Sequence, residues 1–522
     1  MIRRAYPLRD FLRTSLAHPS HGYFAVSPGS VGVLPHPLEF GHLVGESGYR
    51  SRLRSLYRDL DTAWLTPVEI FRPHFGRAVA AWILAQHARH TSRAAVRYPL
   101  EIVEIGAGSG TLAADILDFL ASRHPNVYKS VQYTTLEASP TLRETQAERV
   151  VVADPRHARR FRAIHADATH PDLFACLEST VIHPDRHVVV LGMELLDNMP
   201  HDRVERVAGA SSHTSPPVTP SPSPSSHSST SLLPGDADES TWYETIVEMA
   251  DQPSPVSVAD LPTIATSSSS PPPPVSSSSP PTTSTHGLPP WWQPVADLPV
   301  WMQNHNRSTV RLTSRPAEDF LIRKTLGAYA GWTHPLDHHR SSSGMRIYTY
   351  DGGQSGPDSS RSSLSSSSWK ARAASWLDWA LTGQTSSDVS SSSTISSSST
   401  TTTVWLPTGA YSLLRALRRA RPHHSVLLAD FDALPDVQIG GRGAPLVSST
   451  RGGQNVDFDT FLIAAGEADI FFPTDFDALC ALYSSVRVEG GGADLKSRAG
   501  HVASGAFLRR WGDISQTVTL GG

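Results

Sequence analysis

The segment Glu101-Ile-Val-Glu-Ile-Gly-Ala-Gly-Ser-Gly-Thr-Leu112 constrains this chain more than any other. Leu100 to Ile105 reads as a short apolar strand, and Thr111 to Ser122 carries Leu112, Ile116, Leu117 and Leu120 at helical spacing. Between them Gly106, Gly108 and Gly110 permit a tight turn and a close backbone approach, while the helix start offers N–H groups to an anionic or polar ligand end. A glycine cluster can be a plain turn, but strand, turn and helix in this order make a βα unit suited to a nucleotide-like cofactor.

The alternation continues along the chain. Val131 to Leu136 reads as a second strand, with Pro140 in the first turn of a helix running to Arg149. Phe161 to His165 and His187 to Leu191 add two strands, and further on Leu413 to Ala420 is helical and Ser425 to Ala429 is a strand. Short strands separated by helices predict an α/β fold with a parallel, doubly wound, Rossmann-like sheet. Pro7 to Leu16 and Phe75 to His87, the second apolar at Val79, Trp82 and Ile83, predict an N-terminal helical cap over residues 1–98. The cofactor-binding core then covers 99–210, an insertion-rich region with partly folded substrate-side segments 211–403, the C-terminal part of the core 404–490, and a tail 491–522.

The long interruption accounts for the composition. Ser211 to Ser240, Gln252 to Pro290, Gln354 to Ser368 and Thr385 to Thr403 are rich in Ser, Pro and Thr and read as disordered insertions, because they bury too little to offset the entropy of ordering. They lower the hydrophobic share to 39% and the charged share to 18% of 522 residues, so much of the length is not core. Trp291, Trp292 and Trp301, with the helix-like Ala373 to Leu381, read as core packing or, second, as a cover on the substrate side.

Several function classes fall away. A net charge of -4 gives no broad basic field for nucleic acid. Cys176 and Cys480 are too few for a disulfide framework or a four-ligand zinc site, and point to a reducing compartment. No stretch approaches the roughly 20 apolar residues of a transmembrane helix. His338 with His339 and His423 with His424 are adjacent pairs without metal-ligand spacing, so no metal is expected, and no hydrolase nucleophile elbow is present. Arg3, Arg4, Arg9 and Arg13 against Asp10 make a faint version of a basic transit segment.

Dinucleotide binding wants Gly or Ala where Thr111 stands, and an acidic residue about 20 residues on. Here Glu104 lies two residues before the first glycine and Glu137 closes the second strand. That arrangement resembles the methyltransferase variant of the Rossmann fold. By that resemblance Glu104, Gly106, Gly108 and Gly110 hold the methionine end of S-adenosyl-L-methionine, Glu137 accepts bonds from the ribose hydroxyls, and Asp167 lies near the adenine. The fourth strand ends in Leu191-Gly-Met-Glu-Leu-Leu-Asp-Asn-Met-Pro-His-Asp202, and polar groups just past the carboxyl end of a parallel strand face the ligand crevice. Glu194, Asp197 and Asn198 are therefore candidate substrate contacts, with helix capping as the other reading of Asp197 or Asn198.

Further pieces complete a pattern: His18-Pro-Ser-His-Gly-Tyr-Phe24, Thr66-Pro-Val-Glu-Ile-Phe-Arg-Pro-His-Phe-Gly76, Leu136-Glu-Ala-Ser-Pro140, Met193 to His201, Asp430-Phe-Asp-Ala-Leu-Pro435 and Ala468-Asp-Ile-Phe-Phe-Pro-Thr-Asp-Phe476. With the glycine loop they resemble the mitochondrial complex I assembly methyltransferases and their bacterial relatives called MidA; Pro28 to Arg58 stands outside the match. The resemblance implies a class I methyltransferase sheet and S-adenosyl-L-methionine-dependent methylation of an arginine on a hydrophilic core subunit of respiratory complex I, during assembly in the mitochondrial matrix. A guanidinium is protonated, with a pKa above about 12, and is a poor nucleophile in that form. Glu194 is the first choice for its bidentate contact, with Asp197 and His201 for orientation or proton transfer. The alternatives are a non-catalytic assembly scaffold with the same fold and a small-molecule methyltransferase, the latter favoured by a closed apolar pocket.

Overall fold

The computed structural model describes residues 3–206, 242–250, 310–330, 345–351, 402–486 and 498–521, except 28–29, 61–64, 94–97, 171–172, 181–182, 184 and 452–453. The expected strands are present. β2 (Leu100–Ile105), β3 (Gln132–Glu137), β4 (Phe161–His165), β5 (His187–Met193) and β11 (Ser425–Phe431) run parallel in the spatial order β11-β5-β2-β3-β4. β9 (Met345–Asp351) and β15 (Arg498–Ala503) extend the sheet past β11, each antiparallel to its neighbour. The chain moves outward from β2 to β4 and then restarts on the other side of β2 with β5. The loops after β2 and β5 therefore diverge and open a crevice at the carboxyl ends of the strands.

Every position of β2, β5 and β11 is buried, which is why these segments are near-continuous apolar runs rather than alternating ones. One face carries the helices His74–Arg93, Thr111–Arg123 and Ser504–Trp511; Phe75, Val79, Trp82, Ile83, Ile116 and Phe507 join Ile102, Val189, Leu191 and Leu427 in one cluster. The other carries Leu173–Thr180, Thr408–Ala420 and Phe476–Ser485, against Val103, Ile105, Val190, Val426 and Leu428. Each such side chain removed from water is worth roughly 1.5–3 kcal/mol, so these two faces hold most of the stabilising surface. The helix His74–Arg93, expected as part of a cap, is thus one of the sheet's own covering layers, with Gly45–Asp59 joining the same cluster through Tyr49, Leu53 and Leu56.

Two further sheets have no counterpart in the sequence reading. β1 (Arg3–Pro7), β6 (Asp202–Arg206), β7 (Trp242–Ala250), β8 (Val310–Pro316) and β10 (Thr402–Leu406) form an antiparallel sheet, ordered β1-β7-β6-β10 with β8 also on β7. β12 (Leu446–Arg451), β13 (Gln454–Phe458) and β14 (Asp469–Phe471) form another. Leu8, Phe11, Leu12 and Leu16 of the helix Leu8–Ala17 pack against Trp405, Val447, Ile470 and Phe472 of these sheets. Pro7 ends β1 and stands at the N-cap, where its missing N–H costs nothing, so it starts this helix rather than interrupting it.

Arg206 and Trp242 are register partners, so the chain leaves and re-enters this sheet at facing positions. Thr402 and Thr403, expected at the end of a disordered run, pair with Arg206 and Glu205 in β10. The rest of the four Ser/Pro/Thr runs, Trp291, Trp292, Trp301, the stretch 373–381 and His338 with His339 lie outside the described residues, as does the side chain of Cys176. Cys480 is a free, half-buried thiol, and burial pushes it up to about 12. Among the described residues no helix is long and apolar enough to cross a membrane.

Candidate active site

The crevice is built from the loops that follow β2, β3, β4 and β5. Past β2 the backbone takes φ of 52° at Gly108 and 81° at Gly110, a left-handed region that a Cβ disfavours. A Cβ at Gly110 would also stand 3.1 Å from the Cα of Gln146, and one at Gly108 3.2 Å from Val31 Cγ1. Gly110 is the N-cap of Thr111–Arg123 and no side chain caps that helix, so its first amides are not claimed by a cap. Glu104, buried on β2, accepts from Tyr133 Oη at 2.8 Å. Glu137 at the end of β3 accepts from Ser139 N at 3.1 Å and from Gln146 Nε2 at 3.0 Å. Past β4, Asp167 accepts from Thr169 N at 2.8 Å and Arg13 Nη1 at 3.3 Å.

The N-terminal segment touches the loops after β2, β3 and β4. Arg13 meets Asp167, Ser139 Oγ donates to Phe24 O at 3.0 Å, and Val31 covers Gly108. Together they roof a cavity of about 220 Å³ bordered by Glu104, Gly106, Gly108, Glu137 and Asp167 and also by Glu194, Asp197, Asn198 and Asp469. Gly110 and His201 do not line it.

The acidic end forms where β5 stops at Met193. Glu194 has φ of 51°, a conformation that costs a non-glycine residue of order 1–3 kcal/mol and persists where the surroundings enforce it. They do so here: Glu194 N donates to Ala429 O at 2.8 Å, and Asp430 Oδ2 accepts from Leu196 N at 2.8 Å and Asp197 N at 3.1 Å. Asp430 Oδ1 accepts from Phe431 N at 2.8 Å, so Asp430 shapes the turn instead of facing the cavity. Asn198 Nδ2 donates to Asp469 Oδ1 at 2.9 Å and Ile470 O at 3.2 Å, which ties the turn to β14. No helix begins there, so neither Asp197 nor Asn198 is a cap. Glu194 Oε1 and Asp197 Oδ1 are buried without a hydrogen-bond partner.

Burial dominates the electrostatics. It raises Glu194, Asp430 and Asp469 well above the ordinary carboxylate range, with the Asp197 charge adding to each, and it raises Asp197 itself. Burial also brings Glu104 to about 8, helped by the Glu137 charge, and Glu137 to about 7 against the bonds it accepts. His201 is pushed down to about 4 by burial and stacks on Phe472 with 3.9 Å between ring centroids. It is a neutral packing group behind the site, and the expected orienting or proton-transfer role has no contact with the cavity to act through. Elsewhere Asp118, Asp154 and His157 approach one another closely, but Arg156 Nε donates to Asp154 at 2.9 Å and supplies the positive charge there.

The model of an S-adenosyl-L-methionine-dependent methyltransferase family matches residues 78–325 and 343–490. The chain belongs to this family. The methyltransferase therefore has the Rossmann-like class I fold, and S-adenosyl-L-methionine is its cofactor. Similar solved structures include a Burkholderia thailandensis protein bound to S-adenosyl-homocysteine, at 15% identity over 92% of this chain and 72% of that one, TM-score 0.43. Another, an uncharacterized protein in native form from the same organism, has 14% identity over 92% and 71% of the chains, TM-score 0.39. No curated protein matches.

The residues fit the cofactor: Gly106 and Gly108 bring bare backbone to the cavity wall, and the carboxyl groups of Glu104 and Glu137 line it for the cofactor's cationic and hydroxyl groups. Glu104 and the glycine loop would hold the methionine end and Glu137 the ribose. Glu69 and Asp469 also border the cavity although sequence reasoning gave them no role, and Gln146 braces the loop from outside by donating to Gly108 O at 3.0 Å. Glu69 and Asp469 sit in the quoted segments Thr66–Gly76 and Ala468–Phe476, which was their one signal.

A pH dependence follows. A carboxylate with a raised pKa is protonated below it and must lose that proton to attract a cation. Cofactor affinity is therefore expected to rise between pH 6 and pH 8, by up to about tenfold per pH unit for each linked proton. Titration calorimetry at both pH values checks this, and Glu137→Gln should flatten the dependence. Equal affinity at the two values would place both carboxylates out of contact with the cofactor.

Proposed function

We propose that this methyltransferase modifies a protein arginine, on a hydrophilic core subunit of respiratory complex I during its assembly in the mitochondrial matrix. The observation that carries the arginine reading is the pair of buried, unpartnered oxygens, Glu194 Oε1 and Asp197 Oδ1, in a wall of carboxyl groups whose negative forms burial disfavours until a cation arrives. A guanidinium brings five N–H donors and a positive charge, which satisfies both needs at once. The complex I and matrix parts rest on the motif resemblance alone.

When bound, the cofactor supplies an electrophilic methyl group on a cationic sulfur. Glu194 grips the guanidinium and aims one nitrogen, and such positioning can lower a barrier by roughly 7–11 kcal/mol. Asp197, beside it, takes the proton: the N–H bond breaks, an O–H bond forms on Asp197, and the freed lone pair becomes the nucleophile. Asp430 holds the turn that presents both groups.

The test is incubation with isotopically labelled S-adenosyl-L-methionine and the purified hydrophilic core subunits of complex I, read by peptide mass spectrometry. Label on an arginine side chain is expected. Label confined to small molecules would replace this reading with a small-molecule methyltransferase, and cofactor binding without any transfer would replace it with a scaffold.

A further inference from the structure

Thr66-Pro-Val-Glu69 has the pattern of a capping box, in which a Ser or Thr N-cap accepts from the N–H three residues on and the Glu there reaches back to the cap's own N–H. Half of the box forms: Glu69 N donates to Thr66 Oγ1 at 3.3 Å. The carboxylate goes elsewhere. Glu69 Oε2 accepts from Leu34 N at 3.1 Å, while Oε1 accepts from Ser109 Oγ at 2.9 Å and from Thr111 Oγ1. Arg149 stands 3.8 Å from that oxygen and donates to Thr111 Oγ1 at 2.6 Å. Glu69 is 1% exposed, yet it borders the cofactor cavity, as do Ser109 and Thr111.

A loop with three glycines has little conformational preference of its own and needs outside bonds to hold one shape. Gln146 supplies one from the β3 side. From the other side, the two hydroxyls that the loop and the helix start carry both end on the same oxygen of Glu69. We propose that Glu69 is a positioning residue for the cofactor, holding the glycine loop in its ligand-ready shape through Ser109 and Thr111. A carboxylate serving its own helix alone could complete the capping box; this one turns Oε1 to both hydroxyls of the loop and helix start and Oε2 to Leu34 N of the N-terminal segment. The proposal concerns cofactor binding and stands whether or not arginine is the substrate.

The test is a double-mutant cycle of Glu69→Gln and Ser109→Ala on the full chain, with S-adenosyl-L-methionine affinity measured by calorimetry and thermal midpoints recorded without cofactor. Glu69→Gln should weaken binding by about tenfold or more, as for lost hydrogen bonds to a charged group. Ser109→Ala should weaken it measurably, and the double mutant should be no weaker than Glu69→Gln, because the two changes remove the same bond. Methyl transfer at saturating cofactor should hardly change. If Glu69→Gln does not fold, Ser109→Ala and Thr111→Val carry the test alone, each losing affinity at a near wild-type midpoint. Unchanged affinity in the hydroxyl variants, or losses that simply add, would overturn the proposal.

Discussion

Glu194→Gln is expected to lower methyl transfer by at least about 10²-fold, the contribution typical of a positioned acid or base, with little change in cofactor affinity. Gln keeps the shape and one acceptor oxygen but removes the carboxylate that would hold the guanidinium of the proposed arginine substrate bidentately. The effect should fall on turnover because Glu194 lines the cavity beside Asp197, on the turn after β5 and not on the glycine loop. Glu137→Gln should do the reverse, weakening cofactor binding before it alters the chemistry of the bound complex. Wild-type turnover by Glu194→Gln at saturating substrate would move the role to Asp197. Asp430 is no substitute, because its oxygens are already occupied by Leu196 N, Asp197 N and Phe431 N.

Gly108→Val should abolish measurable binding of S-adenosyl-L-methionine. The variant asks a β-branched residue to hold φ of 52°, and it places a Cβ 3.2 Å from Val31 with two methyl groups beyond it. Strain of order 1–3 kcal/mol is expected from the backbone alone, so the thermal midpoint should fall as well. Gly41→Ala is the matched control, with no positive φ and nothing within 4 Å of the added Cβ. Calorimetry on wild type and variant, with NAD beside S-adenosyl-L-methionine, checks the expectation; NAD should bind neither. Equal affinity for S-adenosyl-L-methionine in both proteins would put the cofactor elsewhere.

The elements legible in the sequence are those whose burial leaves a local mark. β2, β5 and β11 are buried at every position and stand out as largely apolar runs, while Gly106 to Gly110 announce a turn by residue type. β15 is an edge strand with β9 next to it, and both pair only with elements far away in sequence, so no local pattern marks them. The same holds within the site. Glu104 and Glu137 lie at strand ends, where the fold rule puts ligand groups, but Glu69 reaches the loop across 40 residues and Asp469 reaches Asn198 across 271. His201 misled for the same reason: closeness to Glu194 in sequence is undone by the turn at 194–200, which carries the chain into β6 and leaves the imidazole against Phe472.

Arg206 and Trp242 face each other across β6 and β7, and partner Cα atoms in an antiparallel pair are about 4.5–5.5 Å apart. The two strand ends at this junction are therefore no farther apart than one rung of the ladder. A guest module whose own ends lie close together could replace residues 207–241 without asking either strand to move. A fluorescent or affinity module placed at that junction would report on the methyltransferase without displacing a residue of either strand.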